Sequence, residues 1–242
     1  MSSVLNLIRL GVPISGGHDQ DDPFAGMFTM IVQSDNPGTS GASQFTIPTN
    51  GSGYDYVTKA QKVGGGTIDE TGGNTGDVTL TFTDGAGQYK VGISGDFPLI
   101  IFSNTGDNQK LISIESWGDI VWGNNQSNSF FGCSNLSGIA SLSDGHSSVT
   151  SLRNFLRNTS LASIDSAFLE NAPNVTNLSN FLFGTTLTTE SYSNFLVWLE
   201  ANYNTPAQTF HGGNATYNAA GATARSSLVD TYGWTIADGG SA

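Results

Sequence analysis

Cysteine is nearly missing: Cys133 stands alone in 242 residues. A single thiol excludes an intrachain disulfide framework and any zinc site built on cysteines. It falls in the repeat described below and reads as a buried thiol. Charge is scarce as well. Only 12% of residues are charged, against about a quarter in ordinary globular domains. Basic residues are the fewest, eight against twenty acidic ones, which gives a net charge of −12 and a pI near 4.2. Such a chain repels nucleic acid and anionic membrane surfaces, and its basic residues, scattered along the sequence, make no patch. No apolar run reaches the ~18–20 residues that span a bilayer. The opening MSSVLNLIRLGVPISGG has a short apolar stretch, but Arg9 interrupts it and no basic region precedes it, so it does not pass as a secretory signal.

What is present argues for an ordered, β-rich chain. Aromatic residues make up 10%, and apolar residues recur at regular positions, which disfavours disorder. Solubility rests on Ser, Thr, Asn and 31 glycines. This composition suits loop-rich extracellular or virion proteins.

Residues 1–23 read as an arm and linker. Leu5, Leu7, Ile8 and Leu10 lie in an apolar segment that Gly16, Gly17 and the acidic run Asp19–Asp22 break off, and they are the candidates for docking onto another subunit. The acidic run offers carboxylate oxygens to a hard cation but lacks the glycine and downstream glutamate of an EF-hand loop, so it reads first as a solvated linker. From Phe24 to about residue 104 the pattern alternates. Phe28, Met30 and Val32, then Phe45 and Ile47, then Tyr54 and Tyr56, then Val78, Leu80 and Phe82, then Tyr89, Val91 and Ile93 mark short strands separated by Gly, Asn and Asp. That predicts an antiparallel β-sandwich ending in the apolar run Phe97–Phe102, with Gly64–Gly76 as a long exposed loop in which Asp69 and Glu70 are merely solvated.

Residues 105–242 carry a repeat. Leu111, Leu136, Leu161 and Leu187 recur at a nearly constant interval, the last step one longer than the two before it. Ile114, Ile139 and Ile164 keep the same register. Phe130–Phe131, Phe155–Leu156 and Phe181–Leu182 form another column, and SSVTSLRNFLRNTSL lines up with PNVTNLSNFLFGTTL. A period in the twenties predicts stacked supersecondary units, each with a short strand such as Val149–Leu152, none able to bury its apolar face alone. Tyr192, Phe195, Trp198 and Leu199 then fall on one helical face, with Thr188 or Thr189 as N-cap, and a second helical pattern from Ala219 to Tyr232 precedes a strand at Trp234–Ile236. The fold class predicted is mainly β with short helices.

Two resemblances follow from these stretches. Phe45-Thr46-Ile47-Pro48, Gly53-Tyr54-Asp55-Tyr56 and Gly87-Gln88-Tyr89-Lys90-Val91-Gly92-Ile93-Ser94-Gly95 resemble PKD-type Ig-like domains, although Val57–Lys62 stands where that family has a Trp-Gly-Asp-Gly turn. Asn174-Val175-Thr176-Asn177-Leu178-Ser179-Asn180-Phe181-Leu182 resembles the leucine-rich repeats of BspA-like surface proteins, and the closing phrase is similar to the ends of such proteins and of phage tail or fibre proteins. The resemblances imply an Ig-like sandwich over 24–104, a leucine-rich solenoid with a helical cap over 105–242, and a role in adhesion or particle display.

Catalytic patterns are missing. His18, His146 and His211 lie in separate turn-like settings, and there is no HExxH, phosphate-binding glycine loop or Gly-x-Ser-x-Gly elbow. The expected function is non-enzymatic: a phage tail-fibre, spike, decoration or head-fibre subunit on the virion surface, needing no cofactor. It would hold other virion subunits through its arm, contact host glycan or protein, and assemble with further copies of itself. The alternatives are a BspA-like adhesin on a bacterial surface and a carbohydrate-binding or carbohydrate-cleaving module. Tyr54, Tyr56, Trp117 and Trp122 are candidate surface aromatics for stacking on sugar or partner, each with a competing place in the core.

Overall fold

The computed structural model describes residues 22–203 and 208–242. The docking candidates Leu5, Leu7, Ile8 and Leu10 lie outside the described residues, as do Asp19–Asp21. The first half is built from β1 (Phe28–Gln33), β2 (Gln44–Ile47), β3 (Asp55–Lys62), β4 (Ile68–Asn74), β5 (Val78–Thr81) and β6 (Gln88–Asp96). The second half supplies β7 (Leu111–Trp117), β8 (Gly138–Ile139), α1 (Thr189–Asn202), β9 (Thr209–His211), α2 (Ala219–Asp230) and β10 (Thr235–Ala237). The protein is mainly β, with two α-helices among the described residues.

Alternation in the sequence becomes one face of a sheet. In β1, Phe28, Met30 and Val32 point inward, and Tyr56 and Ala60 of β3 and Tyr89, Val91 and Ile93 of β6 join them. The main sheet has the order β4-β3-β6-β1-β7-β8, while β2 and β5 pair separately and send Phe45, Ile47 and Leu80 into the same core. The glycine-rich stretch expected to be a loop contains β4, an edge strand antiparallel to β3. An edge strand needs few apolar residues because its partner supplies the hydrogen bonds. Its acids are engaged, Glu70 with Lys59 at 3.9 Å and Asp69 with the Thr83 backbone N–H at 3.0 Å. Conversely, Phe97–Phe102 forms no strand, although Phe97, Ile100 and Phe102 are buried.

Residue 104 separates no two cores. Strand β7 pairs with β1, and one continuous apolar cluster runs from Phe28 to Trp234. A chain of ring contacts threads it: Phe45, Phe102, Phe130, Phe155, Phe181, Phe210 and Trp234, with successive centroids 5.1–6.4 Å apart. A buried clamp holds the halves together at their edge. The Lys110 ammonium donates to the carbonyls of Ser40, Gly41 and Gln44 at 2.8–3.1 Å and to Ser40 Oγ at 2.8 Å. Asp107 accepts from the N–H groups of Ser40 and Thr46 at 2.9 and 2.7 Å. Burial opposes the Asp107 carboxylate, but the hydrogen bonds from Ser40 and Thr46, with Lys110 beside it, hold its pKa below the ordinary value.

The second half winds in coils joined by a parallel ladder. Asn128, Phe130 and Gly132 donate backbone N–H groups to the carbonyls of Arg153, Phe155 and Arg157. Leu152, Asn154, Leu156 and Asn158 donate likewise to Asn177, Ser179, Phe181 and Phe183. Asn125, Ser151 and Asn177 bridge in turn, at a constant step that sets Phe130 opposite Leu156. The Phe-Leu column in the sequence places Phe130 one residue away from this register. On the other side β7 and β8 pair Ile114 with Ile139, a step one residue shorter, which explains the mixed spacing of the leucines. The ladder begins at Phe102–Asn104, and Leu182 N–H passes it to His211 in β9, which pairs with β10. Both helices start on the side-chain caps that the sequence allows: Thr188 accepts from Ser191 N–H, and Asn218 from the N–H groups of Ala220 and Gly221.

Each coil turns through asparagine. Asn128, Asn154 and Asn180 hold one place in successive coils with φ of 66°, 56° and 56°. Asparagine tolerates this left-handed region far better than branched residues do. The Asn154 side chain also donates Nδ2–H to Asn128 Oδ1 at 2.8 Å, tying one coil to the next. Asn154→Gly keeps the backbone geometry and is expected to cost about 1 kcal/mol for the lost hydrogen bond. Asn154→Val adds the left-handed penalty of a β-branched residue, for about 2–3 kcal/mol in all. Urea denaturation of both variants measures the difference, and equal losses would contradict a conformational role.

Candidate functional site

The four candidate surface aromatics are core residues. Tyr54, Tyr56, Trp117 and Trp122 are 5%, 1%, 3% and 1% exposed, so none offers a ring face to a sugar. Three of their polar ends are satisfied inside: Tyr54 Oη donates to the Leu99 carbonyl at 3.0 Å, Tyr56 Oη to Gly76 at 2.7 Å and Trp117 Nε1–H to Ala140 at 3.0 Å, whereas Trp122 Nε1 is buried without a partner. Trp117 and Trp122 instead pack against Phe28 and each other in a cluster of rings that the coils cover. Asp22, the one described member of the acidic run, accepts from Phe24 N–H at 3.0 Å and faces Lys90 at 3.5 Å. Among the described residues no three His, Cys, Asp or Glu side chains gather as a metal site. Cys133 is buried, and burial pushes its thiol pKa well up.

The surface feature that the coils do build is a row of side chains at one ladder position. Phe131, Arg157 and Phe183 hold equivalent places in three successive coils, and His211 continues the row. The Arg157 guanidinium lies 4.7 Å from the centroid of Phe131 and 4.7 Å from that of Phe183, sandwiched between two rings. His211 meets the Phe183 ring at 4.8 Å, edge to face, and Phe183 is 39% exposed. Stacking occupies both faces of the guanidinium and fixes its plane. Its Nη1 donates to Asn154 Oδ1 at 3.4 Å, and Nε has no hydrogen-bond partner. Burial lowers the His211 pKa, with nearby Arg157 acting the same way and Asp238 opposing both. Its Nδ1 accepts from Gly213 N–H at 3.1 Å.

The cations are unevenly partnered. Seven of the eight fall among the described residues. Lys59, Lys90, Lys110 and Arg225 face carboxylates, and Lys62 donates to the carbonyls of Asp84 and Ala86. Arg153 and Arg157 pair with no carboxylate among the described residues. They share one coil, and Arg153 is exposed. The sequence reading that the basic residues are scattered holds for the rest and fails for these two. The signal was available, since LRNFLR carries both arginines and Phe131, Arg157 and Phe183 keep the period. Chemically, this coil carries two arginines, Arg157 between the phenylalanine rings and Arg153 at the ladder position that Ser127 and Ser179 hold in the neighbouring coils.

No family model, curated protein or solved structure matches the chain. The site is therefore read from its own residues.

His146 is the remaining candidate group and is buried between two indoles, 4.7 Å from the Trp117 ring and 5.3 Å from that of Trp122. Burial lowers its pKa to about 4, against the partial help of Ser143, whose carbonyl accepts from Nδ1–H at 3.2 Å. Its Nε2 has no partner. The fold thus favours the neutral ring, and the unfolded chain binds the extra proton. Stability from this group is complete above pH ~6.5 and is lost as the pH falls from there toward about 4, by about 3 kcal/mol in total. His146→Phe should flatten the dependence of unfolding free energy on pH over that window, and an unchanged slope would contradict the assignment.

Proposed function

We propose that the chain is a non-enzymatic structural protein of a bacteriophage virion surface, a tail-fibre, spike, decoration or head-fibre subunit. In this reading residues 24–104 supply a PKD/Ig-like sandwich and 105–242 a short leucine-rich solenoid with a helical cap, the two sharing one core, and 1–23 are a docking arm. Supporting the sandwich, β2 and β5 lay Phe45, Ile47 and Leu80 over the face of the main sheet. Supporting the solenoid, the coil-to-coil bonds and the left-handed asparagines recur at the same place in each successive coil.

The observation that carries the display role is that the ladder is closed. Its first rung is Phe102–Asn104, and at the far end Arg225 donates to the Ile236 carbonyl at 2.9 Å, covering part of the outer edge of β10. A closed stack with one shared core offers its sides rather than its ends to partners, as a displayed module requires. The docking part rests on Leu5, Leu7, Ile8 and Leu10, apolar residues ahead of an acidic linker.

A second reading, a BspA-like adhesin on a bacterial surface, is favoured by the phrase Asn174–Leu182. Immunogold labelling of particles and of cells separates the two. Deleting residues 1–20 should leave a folded protein, since residues 28–234 form a continuous core of their own, and should abolish its incorporation into particles. Normal copy number of the truncated protein per particle would refute docking by the arm.

A further inference from the structure

We propose that the coil face around Arg153 and Arg157 binds the carboxylates of an acidic polysaccharide of the uronate type. The proposal rests on the display reading above and names a ligand class for it.

Charge is the first argument. In a chain of net charge −12, four of the seven described cations face carboxylates and a fifth donates to carbonyls, so two arginines without such partners on one coil stand out. The second argument is preorganisation. Phe131 and Phe183 hold the half-buried Arg157 guanidinium by both faces, with Nη1 on Asn154 and Nε buried, so the exposed fork of the pair is that of Arg153. The planar fork of N–H donors matches a carboxylate, and a side chain already fixed loses little entropy on binding.

The third argument is what surrounds the arginines. Ser127, Ser151, Asn177 and Ser179 occupy the adjoining ladder positions, and Ser127 Oγ and Ser151 Oγ lie 2.9 Å apart. Hydroxyl and amide rows repeated at the ~4.8 Å spacing of strands suit the hydroxyls of a sugar chain laid across the coils. Phe183, at 39% exposure, is the apolar edge of the patch. These hydroxyl and amide rows favour a saccharide over an acidic peptide as the occupant.

The test uses the full chain against polygalacturonate, with dextran as a neutral glycan and poly-glutamate as an acidic peptide, by biolayer interferometry at low and high salt. Expected are binding to polygalacturonate alone, weakened by salt, and a loss of about tenfold for each of Arg153→Gln and Arg157→Gln. Arg153 is exposed, so Arg153→Gln keeps the test valid even if Arg157→Gln loosens the two phenylalanines. Thermal melts of both variants check their folding. Failure of polygalacturonate to bind, equal binding by the double variant, or equal or tighter binding of poly-glutamate would each overturn the proposal. Particle incorporation of the double variant is scored in parallel. Normal incorporation with no polygalacturonate binding by the parent chain sinks this inference alone, whereas absence of the parent chain from particles sinks the virion reading.

Discussion

Ring stacking along one line holds this protein together. From Phe45 to Trp234 each aromatic side chain touches the next, so the strands of the first half and the coils of the second bury a common interior. Such contacts contribute beyond the area they remove from water, by about 0.5–1.5 kcal/mol per pair. No coil has enough apolar surface to stand alone, and each is stable only because rings lie above and below it. The clamp of Lys110 and Asp107 depends on the same continuity: its charges are buried where residues 38–46, the start of β2 included, meet the first coil, and backbone carbonyls and N–H groups compensate them.

Much of this was legible beforehand. The alternating residues of β1, β3 and β6 and the capped helices α1 and α2 declare themselves because their periods are local. The coils declare themselves because Leu and Phe recur. What the sequence hid follows from relations between distant residues. Strand β4 is polar and glycine-rich, and only pairing with β3 makes it a strand. The stretch Phe97–Phe102 is as apolar as a strand, but most of its backbone runs outside any sheet ladder. A boundary at residue 104 suggests itself from the change of pattern, whereas β7 crosses that change to pair with β1.

The candidate site was less legible, for a related reason. Large aromatics such as Trp117 and Trp122 attract attention as surface contacts, yet the amount of apolar surface they carry is what draws them inside. Arg153 and Arg157 look ordinary among eight scattered cations until the ladder sets one of them between two phenylalanines. Their lack of acidic partners becomes visible only when the other five described cations have been matched, four with carboxylates and Lys62 with backbone carbonyls.

The left-handed asparagines also set a rule for the length of the chain. Asn128, Asn154 and Asn180 repeat at equal intervals, and the bridges Asn125–Ser151–Asn177 and the row Phe131–Arg157–Phe183 keep that beat. Gain or loss of one whole coil leaves every contact at the joint of the kind it replaces. A shift of one residue in the middle coil brings Arg153 or Phe155 to the left-handed corner that Asn154 holds. In evolution or in the laboratory, this half of the molecule can therefore grow or shrink only in whole steps, and its reach from the sheet is counted in coils.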